Sequence, residues 1–185
     1  MTRWLRFLLT MLRSITKPRL RVDQESSLDL RVWPTDADLS LMNHAGYLTV
    51  MEQGRVDLMV RTGFLRFLLR RHWSAVLASI TVQFRRPLRR FQRFRLRTRL
   101  VCWDEQWIYL EHRIDRGNEF VASGLAKNVI LGPQGRLRPA DVLTAFGRSV
   151  AAPPVPHMVQ TLREGERLMN ERVQSWAPFE WSLDA

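Results

Sequence analysis

The sequence predicts an α+β fold in which one long central helix is wrapped by a curved antiparallel sheet. An amphipathic helix precedes this body and a helical extension follows it. Three observations point there. A single stretch, His44 to Thr62, carries a sustained helical period. From residue 80 to residue 131 four segments alternate apolar and polar side chains, with turn residues between them. The chain has 185 residues, enough for one core and short for two, so helix and sheet must bury their apolar faces against each other.

Each element has its own signal. Residues 1–21 form a basic amphipathic helix: Arg3, Arg6, Thr10, Arg13 and Lys17 make one stripe, and Trp4, Leu8, Met11, Leu12 and Ile15 make the opposite one. Pro18 stops it. Such a helix suits an anionic membrane interface, and docking on the protein's own body is the alternative. It is too short to span a bilayer and lacks a small-residue cleavage site, so a secretory leader is not expected. Residues 22–27 read as a polar linker, and Leu28 to Trp33 as a strand ended by Pro34.

In the central helix Tyr47, Val50, Met51, Gly54 and Leu58 share one face, and Gly63 closes it. A short apolar-basic stretch, FLRFLLRR, follows. Ile80, Val82 and Phe84 alternate as a strand before the turn RRPLRR. Arg93, Arg95, Arg97 and Arg99 alternate with Phe94, Leu96, Thr98 and Leu100, which predicts a half-buried strand with one arginine face. Turns at residues 104–106 and 116–118 frame a third strand, Trp107 to Ile114. A long last strand, Glu119 to Leu131, ends the sheet at residues 132–135. A short helix near Pro139 to Phe146, a proline-rich linker over 151–156 and a charged helix from His157 to about Trp176 complete the chain. The expected divisions are therefore 1–21, 28–132 and 137–185.

Composition narrows the function classes. With 45% hydrophobic and 25% charged residues the chain is globular, not disordered. The single cysteine, Cys102, excludes an internal disulfide framework and a thiolate-rich zinc site, and a reducing cytoplasm is the expected compartment. Cys102 itself reads as strand packing. The net charge of +11 is regional: residues 1–21 hold six basic and no acidic side chains, and residues 55–99 hold thirteen arginines against Asp57 alone. A regional basic excess implies an anionic partner.

The informative stretch runs from Trp33 to Arg55. Asp36 and Asp38 lie in a loop just before a helix start, where backbone amides point outward with partial positive charge. A carboxylate beside such amides can pair a base or nucleophile with an oxyanion site. The plainer alternative is that both aspartates cap the helix and solvate the turn.

This stretch resembles the signature of the hotdog-fold acyl-CoA thioesterases, the 4-hydroxybenzoyl-CoA thioesterase-like superfamily. Asp36, Ala37 and Asp38 match its Asp-x-Asp element, and Met42 to Tyr47 match its His-x-Asn-Asn helix start imperfectly. The histidine usual before Met42 is missing, the loop is one residue short, and His44 stands where a second asparagine normally falls. Ile80 to Arg90 resembles the strand and turn that follow the family's helix. The resemblance covers about residues 28–132 and implies a hotdog fold and hydrolysis of an acyl-CoA or acyl-carrier-protein thioester, without metal or organic cofactor.

On that resemblance Asp38 is the general base or nucleophile, with Asp36 able to take its place because the loop is short. The amides near Ala45, Gly46 and Tyr47 polarise the carbonyl, and Asn43 and His44 orient the thioester or hold the loop. Other branches put the working acid on the helix, at about Glu52, whose plainer role is an i,i+3 pair with Arg55. Arg85, Arg86, Arg89 and Arg90 flank a turn and are the candidates for coenzyme A phosphates. The arginines at 93–99 read as a solvated outer face. The resemblance also implies a homodimer or dimer of dimers, and an unpaired sheet edge supports that physically.

Several alternatives have no footing. No serine sits in Gly-x-Ser-x-Gly, there is no glycine-rich phosphate loop, and His72 and His157 are isolated from any metal-ligand spacing. His112 falls on an apolar strand face and reads as a core residue. Nucleic-acid binding is disfavoured because Phe94 alternates to the opposite face from the arginines, whereas stacking needs both on one surface. A non-catalytic acyl-CoA-binding or hydratase-like protein of the same fold ranks ahead of it.

Overall fold

A computed structural model describes residues 3–147 and 152–175. Two compact units divide the chain, residues 1–153 and 154–185. Among the described residues the second contains one helix, His157–Ser175, whose surface carries ion pairs from Arg167 to Glu164 and Glu171. Its expected end at Trp176 lies outside the described residues.

The first unit begins with α1 (Arg3–Thr16), β1 (Ser26–Arg31) and a 3-10 turn (Pro34–Asp36). A two-residue hairpin, β2 (Ala37–Asp38) and β3 (Leu41–Met42), leads into the central helix α2 (His44–Thr62), and α3 (Phe64–Arg70) follows. Then come β4 (Ser74–Phe84), β5 (Arg93–Trp103), β6 (Ile108–Arg116), β7 (Glu119–Gly132), β8 (Gly135–Leu137) and α4 (Pro139–Ala145). The main sheet is antiparallel in the order β1-β5-β6-β7-β4, with β8 folding back on the end of β7. Pairing slips at Leu77/Ser79, Leu100/Cys102 and Ile114/Asp115, and such bulges bend the strands that carry them.

The sheet closes around α2. Leu28, Phe94, Leu96, Ile114 and Val121 meet Tyr47, Val50 and Met51 in one buried cluster. A Cβ on Gly54 would stand 2.3 Å from Thr98 Oγ1, so glycine there lets the helix lie directly on β5. Gly63 ends α2 in the left-handed region (φ 79°), the conformation expected of a glycine closing a helix. The arginine face of β5 is paired with carboxylates: Arg95 with Asp29, Arg97 with Asp115 and Arg99 with Glu111.

Three elements differ from the sequence expectation. β4 begins at Ser74 rather than Ile80, because residues 74–78 lie on an open sheet edge where both faces are exposed and no alternation is required. The turn at 132–135 does not end the sheet, since β8 continues beside β7 beyond the last β6 pairing. β8 and α4 fall in the unit that contains the sheet, residues 1–153.

The third difference concerns α1. It docks on α2 through its polar side. Ser14 Oγ donates to Asp57 Oδ1 at 2.6 Å, Thr10 Oγ1 donates to Gln53 Oε1 at 3.5 Å, and Lys17 lies 3.6 Å from Asp57. Asp57 is fully buried, and Ser26 Oγ (2.5 Å) and Arg61 (3.5 Å) complete its partners. The apolar side faces outward: Leu5, Leu8, Leu12 and Ile15 are 48, 53, 61 and 67% exposed. A buried carboxylate needs donors more than a leucine needs cover, so α2's polar residues select which face of α1 docks.

Candidate active site

The 3-10 turn and the β2–β3 hairpin lay the chain across the start of α2. Asn43 caps that start with extended backbone (φ −84°, ψ 166°), and its Oδ1 accepts the Gly46 amide at 2.8 Å. Its Nδ2 donates to Asp38 Oδ1 at 2.9 Å. One side chain thus ties the exposed Asp38 to the helix terminus. The hairpin turn is tight enough to put Leu39 in the left-handed region (φ 51°).

Asp36 is placed differently. It is 3% exposed, its Oδ2 accepts the Trp33 amide at 3.1 Å, and its carbonyl accepts the Asn43 amide at 2.9 Å. A Cβ on Gly46 would stand 2.5 Å from that carbonyl oxygen, so glycine permits the close approach. Asp36 is built into the support of the helix start, while Asp38 stands on its exposed side.

The three helix-start residues divide likewise. The Gly46 amide is engaged by Asn43 Oδ1 and the Tyr47 amide by Asn43 O at 3.2 Å. Ala45 is exposed in the first turn, whose amides have no carbonyl one turn back within the helix. The Tyr47 ring is buried, and its hydroxyl accepts the Leu88 amide at 3.1 Å. Burial pushes that phenol up from its ordinary pKa. His44 is exposed, with its ring edge-on to Phe84 at 5.1 Å.

Arg85, Arg86, Arg89 and Arg90 are all exposed. The backbone brings the last two beside the aspartate hairpin. Arg89 bridges to Leu41, the Arg90 amide donates to Ser40 O at 2.9 Å, and Met42 N donates to Leu88 O at 2.8 Å. Arg85 and Arg86 anchor to Val121 O through their amides, and Arg86 lies 3.5 Å from Glu119.

Further along α2, Glu52 is ion-paired with Arg55, whose guanidinium is buried. In the sequence Arg55 reads only as Glu52's partner. It falls four residues after Met51 and three before Leu58, two members of the expected buried face, and that spacing was the available signal. His112 is fully buried, with Nδ1 3.0 Å from Thr98 Oγ1. Burial, with the positive charge of Arg55 adding to it, pulls its pKa down to about 3, so it is neutral at physiological pH. Among the described residues no group of three His, Cys, Asp or Glu could hold a metal ion, and no helix is long and apolar enough to cross a membrane.

A curled antiparallel sheet wrapped around one long helix is the hotdog fold of thioesterase-like proteins. Residues 32–162 match the thioesterase-like superfamily, and the chain belongs to it. Protein THEM6 of Xenopus laevis is 35% identical over 104 residues, which is 55% of this chain and 50% of that protein. The probable thioesterase YBR096W of Saccharomyces cerevisiae is 26% identical over 126 residues, 66% of this chain and 55% of that one. The chain thus spans about half the length of the curated relatives it matches. Of solved structures, the YbaW probable thioesterase from Escherichia coli superposes with a TM-score of 0.60 at 18% identity, covering 68% of this chain and 98% of that one. A probable thioesterase from Bartonella henselae gives 0.57 at 22% identity, covering 62% and 98%. These two likenesses establish the shared fold.

Proposed function

We propose that this chain hydrolyses an acyl-CoA or acyl-carrier-protein thioester to free acid and thiol. The observation that carries the proposal is Asn43, which joins an exposed carboxylate, Asp38, to the amides of the α2 start. Asp38 acts on a water or directly on the carbonyl carbon. In the first route Asp38 takes the water's proton, the new C–O bond forms, the C–S bond breaks, and the departing thiolate is protonated. In the second an Asp38 oxygen bonds to the carbonyl carbon as the C–S bond breaks and the thiolate leaves to be protonated. Water then opens the mixed anhydride to give the free acid and the Asp38 carboxylate.

The Ala45 amide polarises the carbonyl; this reading is supported by the engagement of the Gly46 and Tyr47 amides with Asn43. Asp36 holds the loop. Arg89 and Arg90, beside the hairpin, meet the phosphates of coenzyme A or of a carrier protein's phosphopantetheine, with Arg85 and Arg86 further along the turn. The outer edge of β4 pairs with a second copy, giving at least a homodimer. The outward apolar face of α1, with exposed Arg13 beside it, meets an anionic membrane from the cytoplasmic side.

Release of free thiol from a panel of acyl-CoAs tests the reaction. Hydrolysis above background supports it. Tight acyl-CoA binding without hydrolysis would favour a non-catalytic acyl-CoA-binding or hydratase-like protein. Salt-sensitive binding to single-stranded nucleic acid with no acyl-CoA affinity would favour the nucleic-acid alternative.

A further inference from the structure

A cavity of about 150 Å³ lies between α2 and the sheet, walled by Leu58, Met59, Phe64, Leu100, Ile108 and Leu110 among others. That is the size of an engineered apolar cavity that takes up a single benzene molecule. Four polar side chains interrupt the wall: Glu52, Arg55, Thr62 and Asn128. Two of them spend their donors on backbone. Thr62 Oγ1 donates to Leu58 O at 2.8 Å, and Asn128 Nδ2 lies 3.2 Å from Ala126 O and 3.3 Å from Ile108 O.

Arg55 is the exception. It is 7% exposed, and its Nη2 is taken by Glu52, whose own side chain is 48% exposed. The other terminal nitrogen, Nη1, is buried and has no hydrogen-bond partner among the described residues. Desolvation lowers the guanidinium to about 10, so it stays charged at neutral pH. Arg55 lines this largely apolar cavity, where a charged donor left unmade is unfavourable, and a plain alkyl chain would leave it so. Because Glu52 already balances the charge, an uncharged oxygen acceptor suits Nη1 better than a second anion, which would be buried without a counter-ion.

We propose that this cavity takes the distal end of the acyl group and that Arg55 Nη1 selects acyl groups carrying a hydroxyl or carbonyl oxygen there. The proposal rests on the thioesterase function above and names its substrate class. Ala45 and Arg55 are ten residues apart on one helix, a separation of about 15 Å along the axis at 1.5 Å per residue. Helical side chains lean toward the N-terminus, which brings the guanidinium nearer the site. An acyl group whose carbonyl lies at the helix start therefore reaches the cavity only with its far end, so the substrate is of medium length and oxygenated distally.

The cavity is tested first without any thioester, by titrating toluene and p-cresol, which differ by one hydroxyl, into wild type and Arg55→Met and following binding by ligand-observed NMR. Wild type should bind p-cresol about tenfold more tightly than toluene, the worth of one charge-assisted hydrogen bond. Arg55→Met should erase that difference while still binding toluene. Should the variant not fold, Arg55→Lys keeps the cation opposite Glu52 but loses the forked nitrogen, and it should narrow the difference in the same way. Equal affinities in wild type, binding of neither probe, or a difference that survives in the folded variant would overturn the role of Arg55.

The second arm compares decanoyl-CoA with ω-hydroxydecanoyl-CoA. Preference for the hydroxylated substrate in kcat/KM, lost in the variant, is the expected result. Equal turnover of the two overturns the substrate class. Absence of hydrolysis on both, with selective p-cresol binding intact, overturns the thioesterase function and leaves the cavity's selectivity standing as that of a binding protein.

Discussion

Asn43 Nδ2 donates to Asp38 Oδ1 at 2.9 Å while the same side chain's Oδ1 caps α2 through the Gly46 amide. The carboxylate is thereby oriented by the residue that terminates the helix. Asp38→Asn retains size and hydrogen bonding but removes the base, so kcat should fall by about 10²-fold or more. Asp36→Asn should cost less in kcat, because Asp36 packs under the helix start. Its effect should appear in thermal stability. Glu52→Gln should cost little in kcat if pairing with Arg55 is its role, and its effect should appear in stability because the buried guanidinium loses its counter-ion. Inactive Glu52→Gln beside a near-normal Asp38→Asn would move the working acid onto the helix.

Replacing Gly46 should disturb the same place from beneath. In Gly46→Ala the new Cβ meets the Asp36 carbonyl, and helix or loop must shift to relieve it. Overpacking of this kind costs about 1–3 kcal/mol, and the displaced Asp38 should lower kcat as well. Unchanged melting temperature and rate would show that the contact is relieved freely.

His112 makes the protein sensitive to acid. Its folded pKa is about 3 against an ordinary 6.5. Between those values the unfolded chain binds a proton that the folded chain refuses, so stability falls as pH falls through that window. The slope fades out over about one pH unit above 6.5. The loss should be about 2 kcal/mol between pH 6.5 and pH 5. Denaturant titrations at the two pH values should show that slope in wild type and a flatter one in His112→Gln.

Vesicle sedimentation tests the outward face of α1. Binding should require residues 1–21 and weaken with salt, and Leu8→Asp or Leu12→Asp should each lower partitioning by about tenfold or more. Equal binding to neutral and anionic vesicles would remove the electrostatic part. Unaltered binding by the aspartate variants would remove the apolar part.

Assembly should follow from the open edge of β4, where Val76 and Leu77 are exposed beside unpaired backbone. Light scattering at micromolar concentration should give at least a dimer, and Val76→Lys should weaken it by about tenfold or more. A monomeric mass for the wild-type chain would refute this interface.

What the sequence determined by itself was local. The span of α2 follows from Asn43 before it and Gly63 after it, since capping and a left-handed stop depend on residues next to the helix. The arginine face of β5 follows from strict alternation, which any strand converts into two faces. The aspartate loop and its likeness to a thioesterase signature were legible because both lie within a short span of chain.

Tertiary structure decided the rest. Periodicity divides α1 into two faces but does not say which docks. Buried Gln53 and Asp57, each 43 residues away from its α1 partner, make that choice. Asp36 and Asp38 are equivalent as sequence, two acids in one loop, until Gly46 brings the helix onto Asp36 and leaves Asp38 to Asn43. The edge strand over 74–78 leaves no clear alternating pattern because its residues stay exposed on both faces, even where Ala75 and Leu77 line the cavity. Arg55 is buried only because strands far along the chain close over its side of the helix. These are contacts between distant segments, and their energies depend on burial, which no local spacing contains.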